Sequence, residues 1–245
     1  MESLFLDKIG LFSNQISRDD LKPGDHIYSW RTAFVYAHHG IYIGDGNVIH
    51  FTRGDGLEIG TGTFLDKIIV GSIPNHGGDN NNPCSNCGHQ SNLDGVISSC
   101  INCFLSGGNL YLFEYGVSTA IFLTKLRGGT CTIAPSDSSD EVISRAKFLL
   151  LHNVFGNYHP FENNCEDFAI YCKTSLMVGK DYMLGRSGQA SSVSAAACIA
   201  RMVSPWASNA IRLFTDIGMR KDVMKVPVES FVAQVNAVST SAREG

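Results

Sequence analysis

Hydrophobic and polar positions alternate most clearly in YAHHGIYIGDGNVIHF, residues 36–51. Apolar and aromatic residues lie on both sides of a Gly-Asp-Gly sequence, which is typical of the connection between two antiparallel strands. The pattern therefore predicts a β-hairpin. A preceding strand is predicted in LKPGDHIYSW, residues 21–30, and further strands are predicted at residues 64–70 and in LYLFEYG, residues 110–116.

A helix is predicted in SDSSDEVISRAKFLLLH, residues 136–152. Ser138 or Ser139 suits the N-cap, and the two acids that follow suit the positive end of the helix dipole. Helical spacing gives this segment a stripe of apolar residues that we expect to be buried, namely Val142, Ala146 and Leu149.

A second helix is predicted in ENNCEDFAIYC, residues 162–172, with Asn163 or Asn164 as its N-cap. Cys165 would then open the helix, where free backbone N–H groups and the helix dipole stabilise an anion. We expect a lowered pKa for this thiol, and the thiolate is the nucleophilic form of cysteine. The alternative is a small buried cysteine that happens to begin a helix.

A nucleophilic thiol needs a base, and the predicted hairpin carries His38, His39 and His50. Neighbouring residues in a strand point to opposite faces, so His38 and His39 cannot both face Cys165. The length of the hairpin loop decides which of them shares a face with His50.

A two-residue Asp-Gly loop pairs residue 41 with His50 and puts His39 on the face of His50. A three-residue Gly-Asp-Gly loop pairs Gly40 with His50 and puts His38 there instead. We prefer the second register because Gly40, which has no side chain, leaves room beside His50. The hairpin pattern alone leaves both registers open.

The other notable pattern consists of the pairs CSNC and CINC, separated by the twelve residues 88–99. Two Cys-x-x-Cys pairs supply the four thiolates of a closed tetrahedral site, which predicts a structural zinc ion rather than a catalytic one. The ligands are Cys84, Cys87, Cys100 and Cys103. Disulfides or free thiols are the alternatives. Because the inserted segment 74–109 has few apolar residues, we expect its folding to depend on the metal.

Composition limits the class of protein. The chain has 245 residues, 44% of them hydrophobic, and a net charge of −4. Its Lys and Arg are scattered, so we expect no nucleic-acid partner. We find no secretory signal and no apolar stretch of spanning length, and expect a cytoplasmic protein with its eight cysteines as thiols. Cys131, Cys172 and Cys198 are interpreted as packing residues.

The C-terminal third begins with a segment rich in small residues, 188–216, whose composition favours helix with a break at Pro205. These helices either pack on the domain or lie on a membrane surface. We expect a helical extension over residues 181–225 and a weakly structured tail over residues 226–245.

The stretches LKPGDHIY, HHGIYIGDGNVIHF and NNCEDF occur in the order seen in the lecithin:retinol acyltransferase (LRAT) domain, and the chain resembles most closely the plant LRAT-domain proteins of the lead-sensitive type. The resemblance covers about residues 20–70 and 110–175. It implies an α+β, circularly permuted papain-like domain of the NlpC superfamily over residues 20–180. Its antiparallel sheet would pack on the cysteine-bearing helix, with the zinc knuckle inserted.

The resemblance also implies a mechanism. Cys165 attacks a lipid ester, His38 is the base, His50 orients His38, and an acyl-cysteine thioester passes its acyl group to water, an alcohol or an amine. One departure is Asp167, where the family motif has histidine. This carboxylate adds negative charge beside the nucleophile.

Two other functions remain open beside the enzymatic one. The first is an LRAT-fold scaffold that binds a protein partner through the zinc insert. The second is a thiol-based binder of heavy metals in which lead competes with zinc. The complete Cys-His-His set favours an acyltransferase or phospholipase that contacts a membrane peripherally. Asp167 and the large insert favour the scaffold.

Overall fold

The computed structural model describes residues 14–31, 36–53, 84–88, 94–125, 128–159, 163–179 and 205–241. The strands are β1 (His26–Arg31), β2 (Tyr36–Gly44), β3 (Asn47–Thr52), β4 (Gly95–Cys100), β5 (Tyr111–Leu112), β6 (Leu176–Val178) and β7 (Val223–Lys225). The α-helices are α1 (Ile101–Leu105), α2 (Thr119–Thr124), α3 (Ser139–His152), α4 (Cys165–Thr174), α5 (Pro205–Thr215) and α6 (Val228–Ser241), and a 3-10 turn spans Arg18–Asp20.

Five strands form an antiparallel sheet in the order β4-β3-β2-β1-β5, and β6 pairs with β7 in a separate two-stranded sheet. The predicted mixed α+β architecture with an antiparallel sheet is therefore confirmed. The predicted strand at residues 64–70 and the segment 188–204 lie outside the described residues.

The hairpin loop between β2 and β3 differs from the prediction. Gly44 pairs with Asn47, so the loop has only two residues, Asp45 and Gly46. Their φ angles of 51° and 71° are both left-handed, as the favoured two-residue hairpin turn requires. The expected three-residue loop is wrong.

A β-bulge between Tyr42 and Gly44 nevertheless produces the preferred register, with Gly40 opposite His50. The glycine is needed here: a Cβ on it would lie 2.7 Å from Val48 Cγ1 and 3.1 Å from His50 Cβ. His38, two residues earlier, therefore shares the face of His50, as predicted.

One face of the large sheet packs on the helices. Ile41 and Phe51 lie in one core cluster with Phe168 of α4, and the predicted stripe of α3 joins the same cluster, with all three of its residues fully buried. Because residue 41 faces α4, the alternation of β2 puts His38 on the other face. The sequence analysis expects His38, and not His39, to face the Cys165 thiol.

The start of each of these two helices is fixed by a capping box. Ser138 caps α3, and its backbone N–H donates to the Glu141 carboxylate. Asn164 caps α4, accepting from the N–H groups of Glu166 and Asp167, and its own N–H donates to the Asp167 carboxylate. The reciprocal bonds satisfy the free N–H groups of the first turn.

The second half of the cysteine insert belongs to the core. β4 pairs with β3 along its whole length, and α1 covers the sheet face that carries His38. Ile101, Phe104 and Leu105 of α1 pack against Ile27 and Val48 of the sheet. The interpretation of residues 74–109 as a surface excursion poor in apolar residues is thus wrong for residues 95–105.

The C-terminal region is also more ordered than expected. Residues 228–241 form α6, whose Phe231 and Val232 are buried in the main core, so the prediction of a weakly structured tail is wrong. α5 begins at Pro205, buries Arg212 and leaves Phe214 74% exposed. Among the described residues, no helix is both long and apolar enough to span a bilayer.

Candidate active site

The Cys165 thiol lies at the first position of α4, completely buried. Its sulfur lies 2.8 Å from the Tyr36 hydroxyl and 3.7 Å from the Ala37 carbonyl oxygen. With the thiol proton directed at that carbonyl, the Tyr36 hydroxyl is the donor to sulfur. Tyr158 in turn lies 2.5 Å from Tyr36, oxygen to oxygen. The nucleophile candidate is held by two tyrosines that the sequence reading did not single out.

Burial raises the pKa of the Cys165 thiol to about 11, against the lowering effects of the Tyr36 hydroxyl and the His39 backbone N–H. The expectation of a lowered pKa is therefore wrong for this arrangement, because desolvation outweighs the helix terminus. The carboxylate that raises the pKa further is Glu166. Asp167, which the sequence analysis had suspected, is engaged in the cap of α4.

His38 and His50 form a buried pair. The Nε2 atom of His38 lies 2.9 Å from Nδ1 of His50, and Nε2 of His50 lies 2.8 Å from the Ser99 hydroxyl. Both rings are fully buried. Burial lowers the pKa of His50 to about 3 and lowers that of His38 well below its ordinary value, so both imidazoles are neutral at pH 7.

His38 makes no hydrogen bond with Cys165, and its Nδ1 atom is buried without a hydrogen-bond partner. The predicted contact between the two therefore stays a prediction. The sulfur nevertheless meets the main chain of β2 beside His38, at Ala37 and His39. Arg31 acts electrostatically on both groups. Burial lowers the pKa of Arg31 to about 10 against the opposing effects of Tyr36 and Cys165, and Arg31 adds to the lowering of the His38 pKa by burial.

His39 belongs to a different network on the other face of β2. Its Nδ1 lies 2.8 Å from Nε2 of His26, whose Nδ1 lies 2.8 Å from the Tyr115 hydroxyl. The His39 ring stacks on Tyr28, and the His26 ring stacks on Phe113. Nε2 of His39 is also buried without a hydrogen-bond partner. These stacked rings build the core between β1, β2 and β5.

Four thiols form a compact cluster beside the histidine pair. The Cys87 sulfur lies 3.8 Å from that of Cys100 and 3.5 Å from that of Cys103, and the Cys84 sulfur lies 3.8 Å from that of Cys100. Sulfurs bound at about 2.3 Å to one tetrahedral ion lie about 3.8 Å apart. The predicted ligand set is thus brought together with the spacing that one metal ion needs.

The remaining cysteines fit the packing interpretation where they are described. Cys131 and Cys172 are buried free thiols, and Cys198 lies outside the described residues. Burial raises the pKa of both, that of Cys131 to about 11.

Sequence reasoning missed several residues of the site. Tyr36 had a usable signal, since it precedes His38 by two positions and so shares its face. Arg31, Ser99, Phe104 and Tyr158 gave none, because they reach the site only through the pairing of β1 with β2 and β3 with β4 and through the loop before α4.

Comparison with known proteins agrees with this geometry. The profile of the lecithin retinol acyltransferase family matches residues 19–178. The chain therefore belongs to the LRAT family. Among curated proteins it is similar to Protein LEAD-SENSITIVE 1 of Arabidopsis thaliana, with 51% identity over 245 residues, covering 94% of this chain and 93% of that protein. The resemblance to plant LRAT-domain proteins of the lead-sensitive type is confirmed.

Proposed function

We propose that the chain is a thiol acyltransferase or phospholipase that forms an acyl-cysteine on Cys165 from a lipid ester. The observation that carries the proposal is the buried His38–His50 pair, with Nε2 of His38 bonded and its Nδ1 without a hydrogen-bond partner. The pair lies on β2 and β3, and the main chain of β2 meets the Cys165 sulfur at Ala37 and His39. Family membership supports the reaction class. The proposed domain spans residues 20–180 in the permuted papain-like order.

In the first half-reaction, Nδ1 of His38 takes the proton of the Cys165 thiol, and the sulfur attacks the ester carbonyl carbon. The tetrahedral intermediate collapses to the thioester, and the leaving alcohol takes the proton from His38. His50 holds the His38 ring through Nε2 and stabilises the imidazolium that forms.

In the second half-reaction, water, an alcohol or an amine attacks the thioester. His38 takes the proton of the attacking group, and the released Cys165 thiolate recovers that proton when the intermediate collapses. With water the net reaction is that of a phospholipase, and with an alcohol or amine it is acyl transfer.

The arrangement described here is a closed resting state. Transfer of a proton from a thiol of raised pKa to an imidazole of lowered pKa is unfavourable, and both groups are sealed from solvent. The nearby cavity bounded by Phe113, Glu166 and Ile170 is lined by neither the thiol nor the histidine pair. Catalysis therefore requires the tyrosine hydroxyls to move off the sulfur so that substrate reaches it, and it requires Nδ1 of His38 to come within hydrogen-bonding reach of the thiol.

Labelling with an active-site-directed probe tests the nucleophile. A lipid-like fluorophosphonate should modify the wild-type protein at Cys165 and should fail with Cys165→Ala. The matched control is Cys131→Ala, because Cys131 is also a buried free thiol whose pKa burial raises to about 11. Modification that persists in Cys165→Ala contradicts the proposal.

A second function is supported by the cysteine cluster. We propose that it binds one zinc ion structurally, since four thiolates leave no open position for substrate. A thiolate cage also accepts larger soft cations. The name of the Arabidopsis relative refers to lead sensitivity, and lead is the competitor to test.

Metal analysis tests this second proposal. The purified protein should carry about one equivalent of zinc. Cys87→Ser should lose it, and Cys131→Ser should retain it. Titration with lead should release zinc from the wild-type protein. An equivalent that survives Cys87→Ser places the metal elsewhere.

A further inference from the structure

Two of the four cluster cysteines, Cys100 and Cys103, lie in the segment formed by β4 and α1, residues 95–105. This segment contacts the histidine pair through Ser99 and Phe104. We propose that this segment couples metal binding to acyl transfer: Ser99 is a positioning residue that anchors the His50 ring and, through it, the His38 ring, and the metal at the cluster holds Ser99 in place. The inference rests on the proposed function, because it concerns the regulation of the same site.

The first link runs through β4. Ser99 is almost fully buried, and its hydroxyl lies 2.8 Å from Nε2 of His50. The next residue, Cys100, ends β4 and belongs to the cluster. A displacement of the Cys100 sulfur is therefore transmitted to the Ser99 hydroxyl through one peptide unit.

The second link runs through α1, which begins directly after Cys100. The Phe104 ring lies 5.2 Å from the His38 ring and 5.5 Å from the His50 ring, centre to centre. Phe104 follows the cluster residue Cys103 in this short helix. A movement of this metal ligand therefore also moves the Phe104 ring that packs against the two histidines.

The third link is a set of charge-assisted hydrogen bonds at the end of α1. The Arg31 guanidinium donates to the Leu105 carbonyl oxygen at 2.7 Å and also to the Phe104 carbonyl oxygen. The same guanidinium acts electrostatically on His38 and Cys165. The position of α1 thus sets the position of a positive charge that acts on both the thiol and its base.

The hydrogen-bond chain explains why Ser99 matters chemically. For His38 to act as a base, its Nδ1 must carry no proton, so its Nε2 carries one and donates to Nδ1 of His50. Nε2 of His50 then carries a proton too, and it needs a buried acceptor. The Ser99 hydroxyl oxygen is that acceptor. Without Ser99 that N–H is buried with no acceptor, so the arrangement in which His38 can act as a base loses a hydrogen bond and the His50 ring loses its anchor.

Nuclear magnetic resonance of the imidazole nitrogens tests the coupling independently of activity. In the zinc-loaded full chain, His38 and His50 should each carry their proton on Nε2. Ser99→Ala should shift the Nε2 signal of His50, because that nitrogen loses its hydrogen bond, and Ser99→Thr, which keeps the hydroxyl, should restore it. Ser98→Ala is the matched control, since Ser98 lies in the same strand and faces away from the pair.

Metal removal is the second test of the coupling. Stripping zinc with a chelator should alter the His50 signals and slow acyl-Cys165 formation at least tenfold, and restoring zinc should reverse both changes. Unchanged imidazole spectra in both Ser99→Ala and the metal-free protein would overturn the coupling. If the spectra respond as expected but no condition yields acyl-Cys165, the coupling stands and the proposed acyl transfer fails, so the two failures are distinguishable.

Discussion

The Tyr36 hydroxyl lies 2.8 Å from the Cys165 sulfur and joins the first residue of β2 to the first residue of α4. Tyr158 extends this contact with a second hydroxyl. The bond both seals the thiol and favours its ionised form, because a donor to sulfur stabilises the thiolate. In the proposed mechanism, this contact must break before substrate enters, and while it lasts it favours the thiolate.

Tyr36→Phe should raise the pKa of Cys165, because it removes a hydrogen bond that lowers this pKa. A net loss of about 1 kcal/mol corresponds to roughly fivefold less thiolate at a fixed pH. The midpoint of the pH profile for alkylation of Cys165 measures the change. Tyr42→Phe, in the same strand but bonded to the hairpin turn, should leave the midpoint unchanged.

Glu166→Gln should move the same midpoint in the opposite direction. The Glu166 carboxylate is almost fully buried and raises the pKa of Cys165, so its neutral isostere should lower that pKa and speed alkylation several-fold at fixed pH. The comparison variant is Asp167→Asn, which touches the helix cap. A larger shift of the midpoint in Asp167→Asn would contradict this prediction and would show that Asp167, as the sequence analysis suspected, is the carboxylate that controls the pKa of Cys165.

Four buried histidines should make the fold sensitive to acid. Burial lowers the pKa of His26, His38, His39 and His50 below the ordinary value of 6.5. Below pH 6.5 the unfolded chain binds protons that the folded protein excludes, so stability present above that pH is lost as the pH falls. Each histidine that stays neutral contributes about 1.4 kcal/mol per pH unit.

Urea unfolding between pH 7 and pH 5 measures this loss. His39→Phe should reduce the slope of the free energy of unfolding against pH by the equivalent of about one proton. His152→Ala, at an exposed position of α3, should leave this slope unchanged. A free energy of unfolding that is flat over this range would contradict the prediction.

The β2–β3 hairpin shows which features of the fold could be predicted from the sequence and which could not. Gly40 opposite His50 was predicted because a side chain there has no room, and this steric argument is local. The bulge that produces the register was not predicted, since it depends on the packing of both strands. The packing of Ile41 against α4 could not be predicted for the same reason, because strand alternation separates two faces without saying which one a distant helix covers.

The C-terminal helix illustrates the same limit. Among the residues of α6 whose side chains are described, up to residue 237, Phe231 and Val232 are the buried ones, which is too weak a pattern to predict a helix packed on the core. The ring partners of Phe231 are Tyr171 and Phe155, which lie 60 and 76 residues earlier in the chain.

Phe231→Ala should therefore destabilise the whole domain. The Phe231 ring lies 5.5 Å from that of Phe155 and 5.2 Å from that of Tyr171. Loss of a buried phenylalanine costs about 3 kcal/mol or more. The free energy of unfolding measures it, with Gln234→Ala, at an exposed position of α6, as the control. An equal effect of the two variants would show that α6 does not contribute to the core.

Trapping of the acyl-enzyme tests the central claim most directly. Zinc-loaded protein is mixed with phosphatidylcholine vesicles, quenched in acid and mapped by peptide mass spectrometry. The account predicts a fatty-acyl mass on the peptide containing Cys165 that hydroxylamine removes, present in wild type and Cys131→Ala and absent in Cys165→Ala. An acyl mass that persists in Cys165→Ala, or none in wild type and Cys131→Ala while both bind the vesicles, would contradict it.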